Sequence, residues 1–307
     1  MSTTYTSNGP VTLAYEDHGG RGGDPLLLIM GLAASRFWWP PGLIDALIGH
    51  GFHVATYDHR DSGESSRWPD QRHGNPITSL FRRRPAAYTA EDLADDGAAV
   101  LDALGWEGAH LFGHSMGGLV AQHIALRHPG RVRTLTASAC VPSGAGPLDL
   151  IRYIRPGIMV RMSRIRVEAG HDGDVRAGVA LSRMLASPAY PFDEETAVAA
   201  AERDRVSGFR DTAAQARQTG ARWSGPALDT LRTPILVFHG EQDPLLRPRA
   251  ARDLAAAVPD ARLVMLPGVG HDLPRALWPR YAGEIRSLAD RSASPPPRRE
   301  PSPPARR

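Results

Sequence analysis

Short apolar runs bounded by Gly, Asp or Pro recur along this chain, with helical patterns between them, and that alternation restricts the possible folds most. Val11–Glu16 reads as an edge strand. Pro25–Met30 (PLLLIM) reads as a fully buried one, and His53–Tyr57, Ala109–Phe112, Val132–Ala139, Pro234–His239 and Arg262–Leu266 continue the series. Continuous apolar strands of this kind belong to parallel sheets buried on both faces. The helices between them have recognisable ends. Thr89 stands three residues before Asp92 as a cap, Leu93, Val100, Leu101 and Leu104 form an apolar stripe, and Gly105 stops it. The pattern predicts an α/β fold, a mostly parallel twisted sheet flanked by helices.

One stretch breaks the rhythm. From Pro142 to Trp223 there is no convincing strand, only amphipathic helical segments with Ile, Met, Val and Arg. It reads as a helical cap, 142–223, laid over one end of a sheet built from 11–141 and 224–290. Residues 1–10 read as a flexible N-terminus and 291–307 as a disordered Pro/Arg-rich tail. That tail carries five Arg against one Glu, so the formal net charge of +3 is a property of the tail and the body is close to neutral. A nucleic-acid partner would call for basic residues clustered on a folded face, and none is expected. No run of about 18 apolar residues is present for a membrane span. The first residues also lack the basic start and apolar run of a signal peptide, so a cytoplasmic location is expected. Cys140 is the only cysteine, which excludes an internal disulfide and a cysteine-built metal site. It reads as a small core residue.

The chemistry concentrates at Gly113-His114-Ser115-Met116-Gly117-Gly118, directly after the strand AHLF and directly before the helical run LVAQHIALRH. A nucleophile at a sharp strand-to-helix turn sits in a strained backbone, and side chains two residues to either side would collide with neighbouring elements. The turn lifts the Ser115 hydroxyl clear of the sheet and aims a helix N-terminus at developing negative charge. Serine needs an oriented imidazole as base. Among the twelve histidines, His271 follows the last strand through Gly268-Val269-Gly270, which places it above the carboxyl edge of the sheet, where open α/β folds bind ligands. His114 reads as a packing or pocket-wall residue. The acid partner is expected at Asp243, just past the strand Pro234–His239, giving the order Ser, Asp, His; Asp149 and Glu241 compete less well.

An oxyanion hole needs two backbone N–H groups. The expected donors are Met116, after the nucleophile, and Leu32, in the loop after the early buried strand, where Gly31 permits close approach. Phe37, Trp38 and Trp39 read equally as core packing or as a wall of an apolar pocket. Tyr190, Phe192 and Trp223 of the cap are further candidates to line it. Asp58-His59-Arg60-Asp61 looks like a metal site but reads better as a tight turn, and Arg82-Arg83-Arg84 as solvated surface.

These stretches resemble the α/β-hydrolase superfamily from roughly Val11 to Asp290. More narrowly, LLLIMGLAASRFWW (Leu26–Trp39), TYDHRDSGESS (Thr56–Ser66), AAYTAEDLADDGAAVLDALG (Ala86–Gly105), GHSMGG, SPAYP (Ser187–Pro191) and PGVGHDLP (Pro267–Pro274) resemble a bacterial esterase group. That group includes aclacinomycin methylesterase, mycobacterial LipG-type esterases and macrolide-ring esterases. The resemblance implies a serine carboxylesterase with a helical cap, its triad matching Ser115, Asp243 and His271, acting on a small-molecule ester such as a polyketide methyl ester or macrolactone. No cofactor is implied. The chain departs from the broader superfamily in having Met30 where a His commonly precedes the oxyanion Gly. A cofactor-free haloperoxidase or perhydrolase, a C–C hydrolase, or an inactive hydrolase-fold binding protein are the other readings. The oligomeric state is not legible.

Overall fold

A computed structural model of the chain describes residues 2–69, 79, 87–162, 164, 165, 168, 170–204 and 211–293. The apolar runs become β1 (Thr4–Asn8), β2 (Val11–Gly19), β3 (Asp24–Ile29), β4 (Phe52–Tyr57), β5 (Ala109–His114), β6 (Val132–Ser138), β7 (Ile235–Gly240) and β8 (Arg262–Leu266). They form one eight-stranded sheet in the order β1-β2-β4-β3-β5-β6-β7-β8. β1 pairs antiparallel with β2, and β2 with β4. Every other pairing is parallel.

Two boundaries differ from expectation at the ends. The N-terminus is not flexible from 1 to 10, because Thr4–Asn8 lies on β2 in register from Thr4 opposite Tyr15 to Asn8 opposite Val11. β2 is therefore an inner strand, not the edge. At the other end the last helix continues to Ala293, so the expected tail loses its first residues to ordered structure. The rest of that tail and Arg82-Arg83-Arg84 lie outside the described residues.

Among the described residues the helices used below are α1 (Pro41–Gly49), α2 (Ala90–Ala103), α3 (Met116–Arg127), α4 (Pro147–Tyr153), α5 (Pro156–Met162), α6 (His171–Leu185), α7 (Glu194–Arg203), α8 (Thr212–Gly220), α9 (Arg249–Ala257) and α10 (Trp278–Ala293). The sheet sorts them by the two-residue period of its side chains. On β3, Leu26 and Leu28 join the core under α1 and α10, with Leu43, Leu47, Tyr281 and Ile285. Leu27 and Ile29 face the opposite core under α2, α3 and α9, with Leu93, Val120, Ile124 and Leu254. Each such leucine, fully removed from water, stabilises the fold by about 1.5–3 kcal/mol, which is why both faces must be covered. The start of α2 is fixed as its sequence predicts: Asp92 N–H donates to Thr89 Oγ1 at 3.1 Å, and Thr89 N–H donates to Asp92 Oδ2 at 2.7 Å.

Helices α4 to α8 form an insertion between β6 and β7. Among its described residues the only β pairing is an isolated bridge, Ile154 to Leu246.

One buried group in this scaffold makes stability depend on pH. His123, on α3, stacks on Trp223 with ring centroids 4.4 Å apart, and neither of its ring nitrogens has a hydrogen-bond partner among the described residues. Burial pushes its imidazole down to about 4 from an ordinary 6.5. Between those values the unfolded chain binds a proton that the folded chain refuses, so stability is present above pH 6.5 and is lost as pH falls toward 4. His123→Phe keeps the stack and removes the titration. Its stability relative to wild type should be about 2 kcal/mol greater at pH 5 than at pH 8. Urea unfolding at the two pH values measures this, and an identical difference at both would contradict it.

Candidate active site

The strand-to-helix turn between β5 and α3 holds Ser115 at φ 55, ψ −124, a left-handed backbone that few non-glycine residues adopt. Two bonds lock it there: Ser115 N–H continues the ladder to Ser138 O at 2.8 Å, and Gly118 N–H returns to Ser115 O at 2.9 Å. The flanking glycines are required by space. A Cβ at Gly113 would run into the backbone of Gly117, and one at Gly117 into the Ile29 carbonyl.

Ser115 Oγ lies 3.0 Å from His271 Nε2, and His271 Nδ1 lies 2.7 Å from Asp243 Oδ2. A carboxylate can only accept, so Nδ1 carries the proton and Nε2 is left to accept from the serine hydroxyl. Burial opposes ionisation of Asp243, but the neighbouring His271 and the Leu246 N–H outweigh it and hold the carboxyl below its ordinary range. Its other oxygen, Oδ1, accepts from Leu245 N–H at 2.7 Å and Leu246 N–H at 2.8 Å. The two competing acids stand elsewhere: Asp149 accepts from Gly146 N–H at the start of α4, and Glu241 is exposed. Buried His239, 4.0 Å from Asp243 Oδ2, is held neutral by desolvation and adds no charge to the line.

The imidazole is clamped from behind. His114 Nε2 donates to the His271 carbonyl at 3.0 Å, and burial pushes the His114 ring down to about 3, so it stays neutral. The insertion supplies the other grip, which sequence reasoning misses. Leu185 O accepts from His271 N–H at 2.8 Å, Ser187 Oγ accepts from Gly270 N–H at 2.9 Å, and Ser187 donates in turn to Asp272. The only advance sign of this contact is the SPAYP segment itself.

Gly31 lies against the nucleophile: a Cβ there would stand 3.1 Å from Ser115 Cβ and 3.6 Å from its Oγ. Leu32 is exposed beside it, and Met116 opens α3, where the first N–H groups have no partner within the helix. The Asp58–Asp61 cluster is a turn. Asp58 takes Arg36, Arg60 forks onto Asp96 at 2.6 and 2.7 Å, and Asp61 takes Arg217 at 2.8 and 2.9 Å. Among the described residues no group of His, Cys, Asp and Glu is placed to hold a metal. Burial pushes the Cys140 thiol up to about 12, consistent with a packing residue.

The aromatic candidates mostly pack elsewhere. Phe37 is sandwiched between the Arg36 and Arg203 guanidinium groups, each 4.2 Å from its ring centroid, and Phe192 lies under Arg183 at 4.6 Å. Trp223 is fixed on His123, two helical turns beyond the nucleophile, and donates to Pro226 O at 2.9 Å. All three make packing contacts within the chain, which for Phe37 is one of its two expected readings. Trp39 is core, 5.0 Å from Phe112. Trp38 lies on the seam with the insertion, donating to Asp204 at 2.7 Å, and Tyr190 packs beside Gly268 in the histidine loop. An open surface pocket of about 610 Å³ lined by Arg161, Val179, Arg183, Met184 and Val198 lies on the insertion and includes none of the Ser115 cluster.

Ser115, Asp243, His271 and Gly31 thus all follow the carboxyl ends of parallel strands β5, β7, β8 and β3. A family profile described as alpha/beta hydrolase fold matches residues 24–274. The chain belongs to the α/β-hydrolase family. This α/β-hydrolase is 30% identical over 319 residues to rhodomycin D methylesterase DauP of Streptomyces sp. (strain C5), covering 93% of this chain and 97% of that protein. It is also 30% identical to rhodomycin D methylesterase DnrP of Streptomyces peucetius, with the same coverage. Among solved structures it is similar to the esterase RhEst1 from Rhodococcus sp. ECU1013, with a TM-score of 0.68 at 21% identity over 94% of this chain and 99% of that one.

Proposed function

We propose that this α/β-hydrolase is a serine carboxylesterase working through an acyl-enzyme. The observation that carries the reading is the unbroken line Ser115–His271–Asp243, at 3.0 and 2.7 Å. His271 Nε2 takes the hydroxyl proton as Ser115 Oγ attacks the ester carbonyl, and the oxyanion accepts from the Leu32 and Met116 N–H groups. The tetrahedral intermediate collapses, the alcohol leaves with the proton from His271, and water activated by the same imidazole releases the acid. These steps call on the chain's own groups alone.

The substrate we favour is the methyl ester of an aromatic polyketide, since the methylesterases named above share nearly the full length of the chain; a macrolactone is the competing ester. The test is a substrate panel: a polyketide methyl ester, a macrolactone, p-nitrophenyl acetate and a vinylogous diketone. Methanol release from the methyl ester with the highest kcat/KM among the natural-type substrates supports the reading. Cleavage of the diketone with no turnover of any ester would overturn it in favour of C–C hydrolysis.

A further inference from the structure

The loop that carries Gly31 and Leu32 lacks a histidine at position 30 to brace it, yet the peptide groups on either side of the Gly31–Leu32 peptide are held. His59 Nε2 donates to the Met30 carbonyl at 3.0 Å, before Gly31. On the other side, Ala33 N–H donates to Gln218 Oε1 at 3.2 Å. Ala33 needs such a hold, because it stands at φ 57, which an L-residue rarely adopts.

Gln218 belongs to α8 of the insertion and is buried. Its amide nitrogen donates to Arg60 O at 3.0 Å and to Ser62 Oγ at 2.8 Å. The amide therefore has one allowed orientation. Flipped, it would set its oxygen against the Arg60 carbonyl and its NH₂ against the Ala33 N–H. Three elements meet in this one side chain: the insertion, the turn after β4 and the loop after β3. Its neighbour Arg217 bolts the same helix to Asp61, in the turn after β4, at 2.8 and 2.9 Å.

We infer that Gln218 is the positioning residue of the oxyanion loop: by holding the Ala33 N–H it fixes the left-handed turn that aims the Leu32 N–H over Ser115. The inference rests on the esterase reading above. It makes the insertion part of the catalytic geometry as well as a candidate cover for substrate.

Removing an oxyanion donor outright costs ~10²–10³ in kcat, and mis-aiming one costs less. Gln218→Met, close in shape and without the amide, should lower kcat on p-nitrophenyl acetate about tenfold with KM within about twofold. Affinity for a trifluoromethyl ketone, whose adduct oxygen occupies the hole, should weaken by a similar factor. Arg217→Met is the control. It loosens the same helix and should lower the melting temperature while leaving kcat near wild type. Wild-type kcat in Gln218→Met overturns the inference, as does an equal loss of kcat in both variants, which would mean that any loosening of α8 suffices. If Gln218→Met does not fold, Ser62→Ala removes one of the amide's two anchors and should lower kcat about threefold at unchanged KM; no loss there overturns the inference equally. A fluorophosphonate that fails to label Ser115 in the wild-type chain would instead bring down the esterase reading itself.

Discussion

Replacing Ser115 with alanine should lower kcat by at least ~10³-fold on any ester the protein turns over, with the fold intact. The size of the effect follows from the geometry. Ser115 Oγ is the atom that meets His271 Nε2, at 3.0 Å, so alanine removes the attacking atom and leaves the base without its hydroxyl. What remains is an imidazole that can activate water and the two N–H groups expected to bind the oxyanion. Such sites retain some rate over solution, far below that of the acyl-enzyme route. Stability should change little, within about 0.5 kcal/mol, because alanine meets the same backbone cost at φ 55 and both anchoring bonds are main-chain. Steady-state kinetics with p-nitrophenyl acetate and a thermal melt suffice. An alanine variant that melts like wild type and retains a tenth of its kcat would remove Ser115 from the mechanism.

Asp243→Asn should cost nearly as much, ~10³–10⁴-fold in kcat at neutral pH, by a different route. The carboxylate is split between two demands. Oδ1 accepts from the Leu245 and Leu246 N–H groups, and Oδ2 faces His271 Nδ1. Asparagine has one accepting oxygen, and two backbone donors claim it, so its NH₂ must turn toward the imidazole. Nδ1 then becomes the acceptor and the ring proton moves to Nε2, the nitrogen that has to receive the serine proton. The base is present, in place and in the wrong tautomer. A burst experiment locates the defect: the acylation rate should collapse while any acyl-enzyme that forms remains detectable. Asparagine with wild-type acylation would show that Asp243 does not set the tautomer.

The strands and the Ser115 turn are legible in the sequence for a shared reason: each depends on local chemistry. PLLLIM can only be buried on both sides, and glycine two residues either side of a serine, between a strand and a helix, reports a steric need met within a few residues. His271 and Asp243 are legible by placement, each in the first loop beyond a strand of the parallel sheet. β1 is not legible, because TYTSN is polar and partly exposed, and its stability comes from main-chain pairing with β2. The aromatic candidates mislead because a large ring at a plausible position says nothing of its partner. Phe37 is covered by its neighbour Arg36 and by Arg203 far along the chain, Phe192 by Arg183 of the preceding helix, and Trp223 by a histidine a hundred residues earlier. Ser187, Asp272 and Gln218 escape for a similar reason. A lone Ser, Asp or Gln carries no spacing signal, and each matters only through a contact made across the fold.

The helical insertion grips the rest of the molecule at Tyr153, Ile154 and Arg155 on the loop of Asp243, at Leu185 and Ser187 on the histidine loop, at Asp204 on Trp38, at Arg217 on Asp61, and at Gln218 beyond Gly31. Anyone hoping to change substrate preference by exchanging this segment for that of a relative inherits a joinery problem. A transplanted insertion that brings a new binding surface without these attachment residues would arrive with the acid, the base and the oxyanion loop unmoored. The exchangeable stretches are those between the attachments, chiefly the outer faces of α6 and α7, and a chimera cut there keeps its catalytic edge while presenting a different wall.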